Sequence, residues 1–204
     1  MLITKFNNFK LNENNNYSNK TIVCVDIQPE YENYISFNLD EWSQFINEQY
    51  ENNNIVFLYN GTSLGMIEEY DYKDWLIDLG INEDIIDNSE FIDKSYGFFR
   101  NAMDSNIDQD DIIKILKFMK SEDINDSREI TEEQWNTLDI EYARDKMESD
   151  DADVTINIPD VIDNLENYDN IVLCGGGETK CLLEIEIALN VIDKEYQTIR
   201  KFIY

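Results

Sequence analysis

The chain has 204 residues, 42% of them apolar and 12% aromatic, which suffices for one α/β domain with a real core and excludes wholesale disorder, a collagen repeat and a coiled coil. It carries 44 acidic and 16 basic residues, a formal charge of −28, so direct binding to nucleic acid or to an anionic membrane is disfavoured by like charge. Histidine is absent, which removes serine triads with an imidazole base, Cys–His proteases and most common zinc sites.

Residues 1–20 are polar and Asn-rich after a short apolar start and read as an extended arm or edge strand. The stretches 21–27 and 54–59 are continuous apolar runs with β-branched residues, the pattern of strands buried on both faces. Between them Leu39, Trp42, Phe45, Ile46 and Tyr50 recur at helical spacing, with Asn38 or Asp40 as the cap, which completes a βαβ unit. A short helix over 71–79 closes at Gly80, in the left-handed C-cap position, and a weaker strand follows over 90–94. Residues 104–153 hold 17 acids and 6 bases, a net of −11 in 50 residues against −17 over the other 154. Even so they contain two amphipathic helices, one over 108–120 with Ile112, Leu116 and Met119 on a face and one over 131–148 with Trp135, Leu138 and Tyr142. Thr131 and Gln134 have capping-box spacing at the start of the second. The segment is expected to be an inserted acidic helical subdomain, docked by its apolar stripes, and 154–158 a short strand or extended linker. A buried strand over 170–174, the run Gly175–Gly177, a helix over 179–192 and a strand over 196–204 complete the pattern. Alternating strands and helices imply an α/β, doubly wound, mostly parallel sheet covered on both faces. The core is then 21–103 with 154–204, the arm 1–20 and the insertion 104–153.

Asn accounts for 25 residues, the usage of an AT-rich coding sequence such as many bacteriophages carry. That drift should also enrich Lys, yet only 12 are present, so the acidity reads as selected, for solubility or for a surface that repels or imitates polyanions. Cys24, Cys174 and Cys181 are far apart, odd in number and without a CxxC pair, which fits a reducing cytoplasm, the host's if the chain is viral. No run of about 18 apolar residues exists and the first 20 residues lack a signal-peptide core, so a soluble protein with no membrane contact is expected.

In a parallel sheet the working site lies at the carboxyl ends of the strands. Asp26 ends the first strand, Lys94 ends the third, and Cys181 falls in the first turn of the helix after the glycine run. A carboxylate beside a thiol takes its proton, a lysine holds the pair oriented and favours thiolate, and a helix N-terminus lowers the thiol pKa further. The trio is a coherent nucleophile site without histidine, and the loop amides at Gly176 and Gly177 are candidates to hold an oxyanion. No cofactor or metal is expected. Each residue also has an ordinary reading: Asp26 as a cap on the sheet edge, Lys94 as a surface lysine paired with an acid, Cys181 as a small buried helix residue. Cys24 and Cys174, inside apolar strands, read as core.

Val25-Asp26-Ile27-Gln28 resembles the end of the first strand in the isochorismatase-like cysteine hydrolases. Asp93-Lys94-Ser95-Tyr96-Gly97-Phe98-Phe99 resembles their lysine segment, and Leu173-Cys174-Gly175-Gly176-Gly177-Glu178-Thr179-Lys180-Cys181 resembles the glycine-rich loop that carries their cysteine. Order and strand placement agree over 21–100 and 168–204. The resemblance implies a doubly wound α/β fold with Asp26 as general base, Lys94 as its positively charged partner and Cys181 as a nucleophile forming a covalent intermediate. It also places Gln28, Tyr96, Phe98 and Glu178 around the substrate pocket. The implied reaction is hydrolysis of a small amide or related C–N bond, and the charge favours a neutral or cationic substrate. The competing expectation is a catalytically inactive member of that fold, an accessory or structural protein that binds a protein partner through the acidic 104–153 segment. A homo-oligomer is open in either case. A metal-dependent nuclease built on Asp26 and nearby acids comes third, because its surface would repel its substrate.

Overall fold

The structure, a computed structural model, describes residues 17–62, 65–94, 99–147 and 154–204. Most of the expected arm and the pocket candidates Tyr96 and Phe98 lie outside the described residues. Strands β1 (Thr21–Val25), β2 (Asn54–Tyr59), β3 (Glu90–Asp93), β4 (Ile171–Gly175) and β5 (Tyr196–Thr198) form one sheet in the order β3-β2-β1-β4-β5. Every neighbouring pair is parallel. The chain winds outward from β1 through β2 to β3, then returns past β1 to β4 and β5. Winding therefore reverses between β1 and β4, and the carboxyl ends of those two strands are the point at which such sheets open a crevice.

The helices are α1 (Leu39–Gln49), α2 (Glu69–Asp78), α3 (Glu83–Asn88), α4 (Arg100–Asp104), α5 (Gln109–Ser121), α6 (Glu132–Leu138), α7 (Glu141–Met147), α8 (Asp160–Glu166) and α9 (Cys181–Val191). Side chains alternate across a strand, and here each set meets its own helical layer. Ile22, Cys24, Phe57 and Val172 share a core with Trp42 and Ile46 of α1, Tyr72 and Leu76 of α2 and Ile85 of α3. Val23, Val25, Leu58 and Leu173 share the other with Ile112 and Leu116 of α5, Leu165 of α8 and Ile185 of α9. Both faces being covered is why β1 and β4 are buried at every position. Cys24 and Cys174 are register partners in the core, with Sγ atoms 3.6 Å apart.

Local signals operate as the sequence suggests at several ends. Asn38 caps α1, its side chain accepting from the Glu41 N–H, and Thr131 with Gln134 forms the reciprocal capping box of α6. Gly80 sits at φ +90°, where its N–H donates to Ile77 O at 2.8 Å and the Ile81 N–H donates to Leu76 O at 3.1 Å, the paired bonds of a Schellman turn.

Two expectations are corrected. The single helix over 131–148 is two, α6 and α7, because Asp139 adopts φ +52°, a left-handed conformation that aspartate tolerates better than most side chains. The break turns Ile140 and Ala143 inward beside Trp135 and leaves Tyr142, expected on the apolar face, 56% exposed. The last strand stops at Thr198 rather than running to residue 204. Beyond it a single 3-10 turn, Arg200–Phe202, places Ile199 and Phe202 in the core while Arg200 and Lys201 stay outside. Phe202 packs against Phe37 and Phe45 at 5.5 and 5.2 Å between ring centroids.

The described part of the acidic segment docks through its apolar stripes. Ile112, Leu116 and Met119 of α5, together with Ile124, Ile130 and Trp135, belong to the same buried cluster as the strands and α9. The extended stretch near residue 156 bridges back to Asp126 through Asn157. Among the described residues no helix is long and apolar enough to cross a membrane.

Candidate functional site

Strand β2 does the positioning. Its last two carbonyls reach past both neighbouring ladders: Asp26 N–H donates to Leu58 O at 2.9 Å and Lys94 N–H donates to Tyr59 O at 2.8 Å. Each is the first residue beyond its strand, so both side chains start from the same edge of the sheet. Asp26 takes φ +47°, which turns the chain off β1 while its carboxylate stays fully buried.

The third member arrives over the glycine run. Gly175 has φ +80°, and a Cβ there would stand 2.4 Å from Val25 O and 2.6 Å from Ile27 Cγ1, so only glycine lets β4 close against β1. At Gly176, φ +74°, a Cβ would meet Leu182 N at 2.9 Å, which is the backbone of the first turn of α9. Gly177 has ordinary space around its missing Cβ, and its carbonyl accepts the Lys180 and Leu182 N–H groups at 3.0 and 3.1 Å. This tight passage sets Cys181, the first residue of α9, against the ends of β1 and β3.

The three expected residues converge. Lys94 Nζ lies 2.6 Å from Asp26 Oδ2, and the Cys181 thiol is close enough for the Asp26 charge to act on it. Neither Asp26 oxygen has a well-aligned hydrogen-bond donor, and the Lys94 ammonium is the cation beside it. Burial opposes charge on Lys94, yet Asp26, Cys181 and Glu184 together hold its pKa above the ordinary range, and it is a firm cation.

The thiol behaves differently from expectation. Burial pushes Cys181 up to about 11, and the Asp26 charge adds to this, while Lys94 only partly offsets it. The helix N-terminus and the lysine therefore do not make a standing thiolate; desolvation beside a carboxylate outweighs both.

Two buried residues that sequence reasoning missed complete the charge pattern. Glu184 lies one turn after Cys181 on α9, with Oε2 3.6 Å from Lys94 Nζ. Arg100, at the start of α4, donates from Nε and Nη2 to Glu184 Oε1 and Oε2 at 2.8 and 2.9 Å, and its Nη2 also stands 3.7 Å from Cys181 Sγ. Burial works against charge on Arg100, and the bonds and charge of Glu184 more than restore it. Asp26 and Glu184 thus balance Lys94 and Arg100, and the thiol sits among all four.

The remaining candidates divide. Gln28 is fully buried as a strut: its Oε1 accepts the Asn60 N–H at 2.8 Å and its Nε2 donates to Asn60 O at 3.2 Å, tying the β1 and β2 ends together. Glu178 is exposed and paired with Arg200 at 2.7 Å, away from the buried charges. Tyr204 returns over the loop, its N–H donating to Gly176 O and its hydroxyl to Asp26 O at 2.9 Å. Tyr31 closes the same side, accepting from Asn60 Nδ2 at 3.0 Å. Among the described residues no group of three or more Cys, Asp or Glu is placed to hold a metal ion. No family model, curated protein or solved structure matches the chain.

Proposed function

We propose that the chain is an isochorismatase-like cysteine hydrolase that cleaves the C–N bond of a small neutral amide through Asp26, Lys94 and Cys181. The observation that carries this reading is the state of Asp26. A structural carboxylate at zero exposure is normally saturated by donors, and a buried charge held by one ammonium is weak support for stability. A carboxylate kept open toward a thiol at the switch point of the sheet is the arrangement of a base beside a nucleophile.

The raised thiol pKa dictates the sequence of events. Cys181 waits as a neutral thiol, and its proton passes to Asp26 as sulfur bonds to the amide carbon and the carbonyl π pair moves onto oxygen. Loop amides at Gly176 and Gly177, just before Cys181 in the chain, are the donors assigned to this oxyanion. Collapse of the tetrahedral species breaks the C–N bond, and Asp26 returns the proton to the departing nitrogen. Water then attacks the thioester, giving its proton to Asp26 while its oxygen bonds to the acyl carbon. The carboxylic acid leaves, and the sulfur takes the proton back. Lys94, 2.6 Å from Asp26, offsets the carboxylate charge throughout.

Ammonia release from a panel of neutral primary amides and N-carbamoyl amines, each paired with a carboxylate-bearing analogue, tests this. At least one neutral compound is expected to turn over, with its anionic analogue slower by about tenfold or more, since both buried cations at the site are already held by carboxylates and offer a substrate anion no partner. No release from any neutral member contradicts the reading and leaves the acidic, non-catalytic alternative.

A further inference from the structure

Arg100 and Glu184 are buried ionic groups that the proton transfers above do not use. An ion pair at this depth is costly to bury and seldom improves on apolar packing. Its geometry here is directed. Glu184 takes two donors of the guanidinium fork, a bidentate grip that fixes the plane of Arg100. Glu184 stands on the same face of α9 as Cys181, so that grip is referenced to the helix carrying the nucleophile. A second tie holds α4 to that helix start: Lys180 Nζ donates to Asp104 Oδ1 at 2.8 Å. The outcome is a guanidinium nitrogen 3.7 Å from Sγ, while Asp26 and Lys94 lie at the ends of β1 and β3.

We propose that Arg100, clamped by Glu184, is a positioning residue for Cys181: it aims the sulfur at its reaction partner while the thiol proton faces Asp26, and it neutralises the charge the sulfur acquires. Glu184 sets the strength of this effect, because it draws the guanidinium charge toward itself. The fork being engaged by Glu184 also makes it unsuited to a substrate carboxylate, which deepens the reading of a neutral acyl group and rests on the hydrolase proposal in that respect alone.

The test reads the thiol directly and needs no substrate. Iodoacetamide alkylation of Cys181, followed by peptide mass mapping against pH, gives the thiol midpoint in the full chain. Arg100→Gln is expected to raise the midpoint and slow alkylation at pH 8.5 by about tenfold, the lower end of what a cation within about 4–6 Å does to a titrating group. Glu184→Gln is expected to lower the midpoint and speed alkylation by a similar factor, and the double variant to fall between the two. Arg100→Lys, which keeps the charge without the fork, should recover at least half of the Arg100→Gln loss. A purely structural ion pair predicts midpoints that do not move, or that move the same way in both single variants, and either result overturns the proposal. Should Arg100→Gln not fold, Glu184→Gln and the double variant, which leaves neither partner charged, carry the same comparison: the double must lie above Glu184→Gln. These shifts are independent of turnover, so an inactive panel with opposed shifts rejects the hydrolase while upholding the arrangement, and an active panel with unmoved midpoints does the reverse.

Discussion

Cys181→Ala is expected to abolish amide turnover, and Asp26→Asn to lower it by about 10²–10⁴-fold, the span that a positioned general base contributes. The second variant is the sharper one. Asparagine is nearly isosteric with aspartate and is the other side chain that accepts a left-handed backbone, so the turn at φ +47° is retained. What is lost is the lone pair that receives the thiol proton. With the thiol pushed up to about 11, only a minute share is thiolate at neutral pH, and the other carboxylate near it, Glu184, is engaged by Arg100. Initial rates of ammonia release on a panel substrate, with circular dichroism to verify folding, measure this. A loss under tenfold for Asp26→Asn would show that the proton goes elsewhere.

Lys94→Met is expected to destabilise the fold by about 3–5 kcal/mol, the usual consequence of removing one partner of a buried pair. The substitution keeps the length of the stem but takes the ammonium from a position 2.6 Å from Asp26 and 3.6 Å from Glu184, so that Asp26 loses the cation beside it while Glu184 keeps Arg100. Urea unfolding of Lys94→Met beside Lys94→Met with Asp26→Asn separates charge from packing. The double variant should recover a large part of the loss, because an amide in place of the carboxylate is far cheaper to bury. Equal losses in both would assign the cost to packing and remove the electrostatic role. The pH dependence has a defined sign as well. Lys94 has a raised pKa, so its stabilisation is complete below its unfolded value of about 10.4 and is lost only as pH climbs through the higher folded value. Cys181 is an acid with a raised pKa, so the folded state gains from the neutral thiol and that gain declines between about 8.5 and about 11.

Much of this site was legible because parallel sheets gather strand ends. The apolar runs of β1, β2 and β4 mark themselves by β-branched residues, and the first charged residue after such a run is forced to the carboxyl edge. Asp26 follows from that rule, Lys94 from its place at the end of the weaker strand expected over 90–94, and Cys181 from its place after the glycine run. Arg100 does not, since its partner is 84 residues away and nothing near it in the chain marks it. Glu184 left a trace, a charge within the apolar stretch Leu182–Val191, where a helix buried at Leu182, Ile185, Ile187 and Ala188 has little solvent to offer it. Helix α8 has only seven residues, too few for helical periodicity to separate it from a loop, and its three buried residues Val161, Ile162 and Leu165 decide it through packing. The return of Tyr204 onto the glycine loop depends on where Phe202 finds its aromatic partners, a tertiary choice with no local signature.

The uneven charge also takes on a more specific meaning. The surface is acidic, but at the switch point two buried cations meet two buried carboxylates, and the thiol is insulated from the global field by groups much closer than a screening length of about 8–10 Å. Chemistry at Cys181 is governed by those four residues rather than by the net charge.

Intact-mass analysis during turnover of a panel amide tests most directly whether Cys181 is an acyl-accepting nucleophile. Rapid acid quenching should reveal a mass increase equal to the acyl group, mapping to the peptide that contains Cys181, absent in Cys181→Ala and lost on treatment with hydroxylamine. Turnover without any adduct at Cys181, or an adduct that persists in Cys181→Ala, would contradict it.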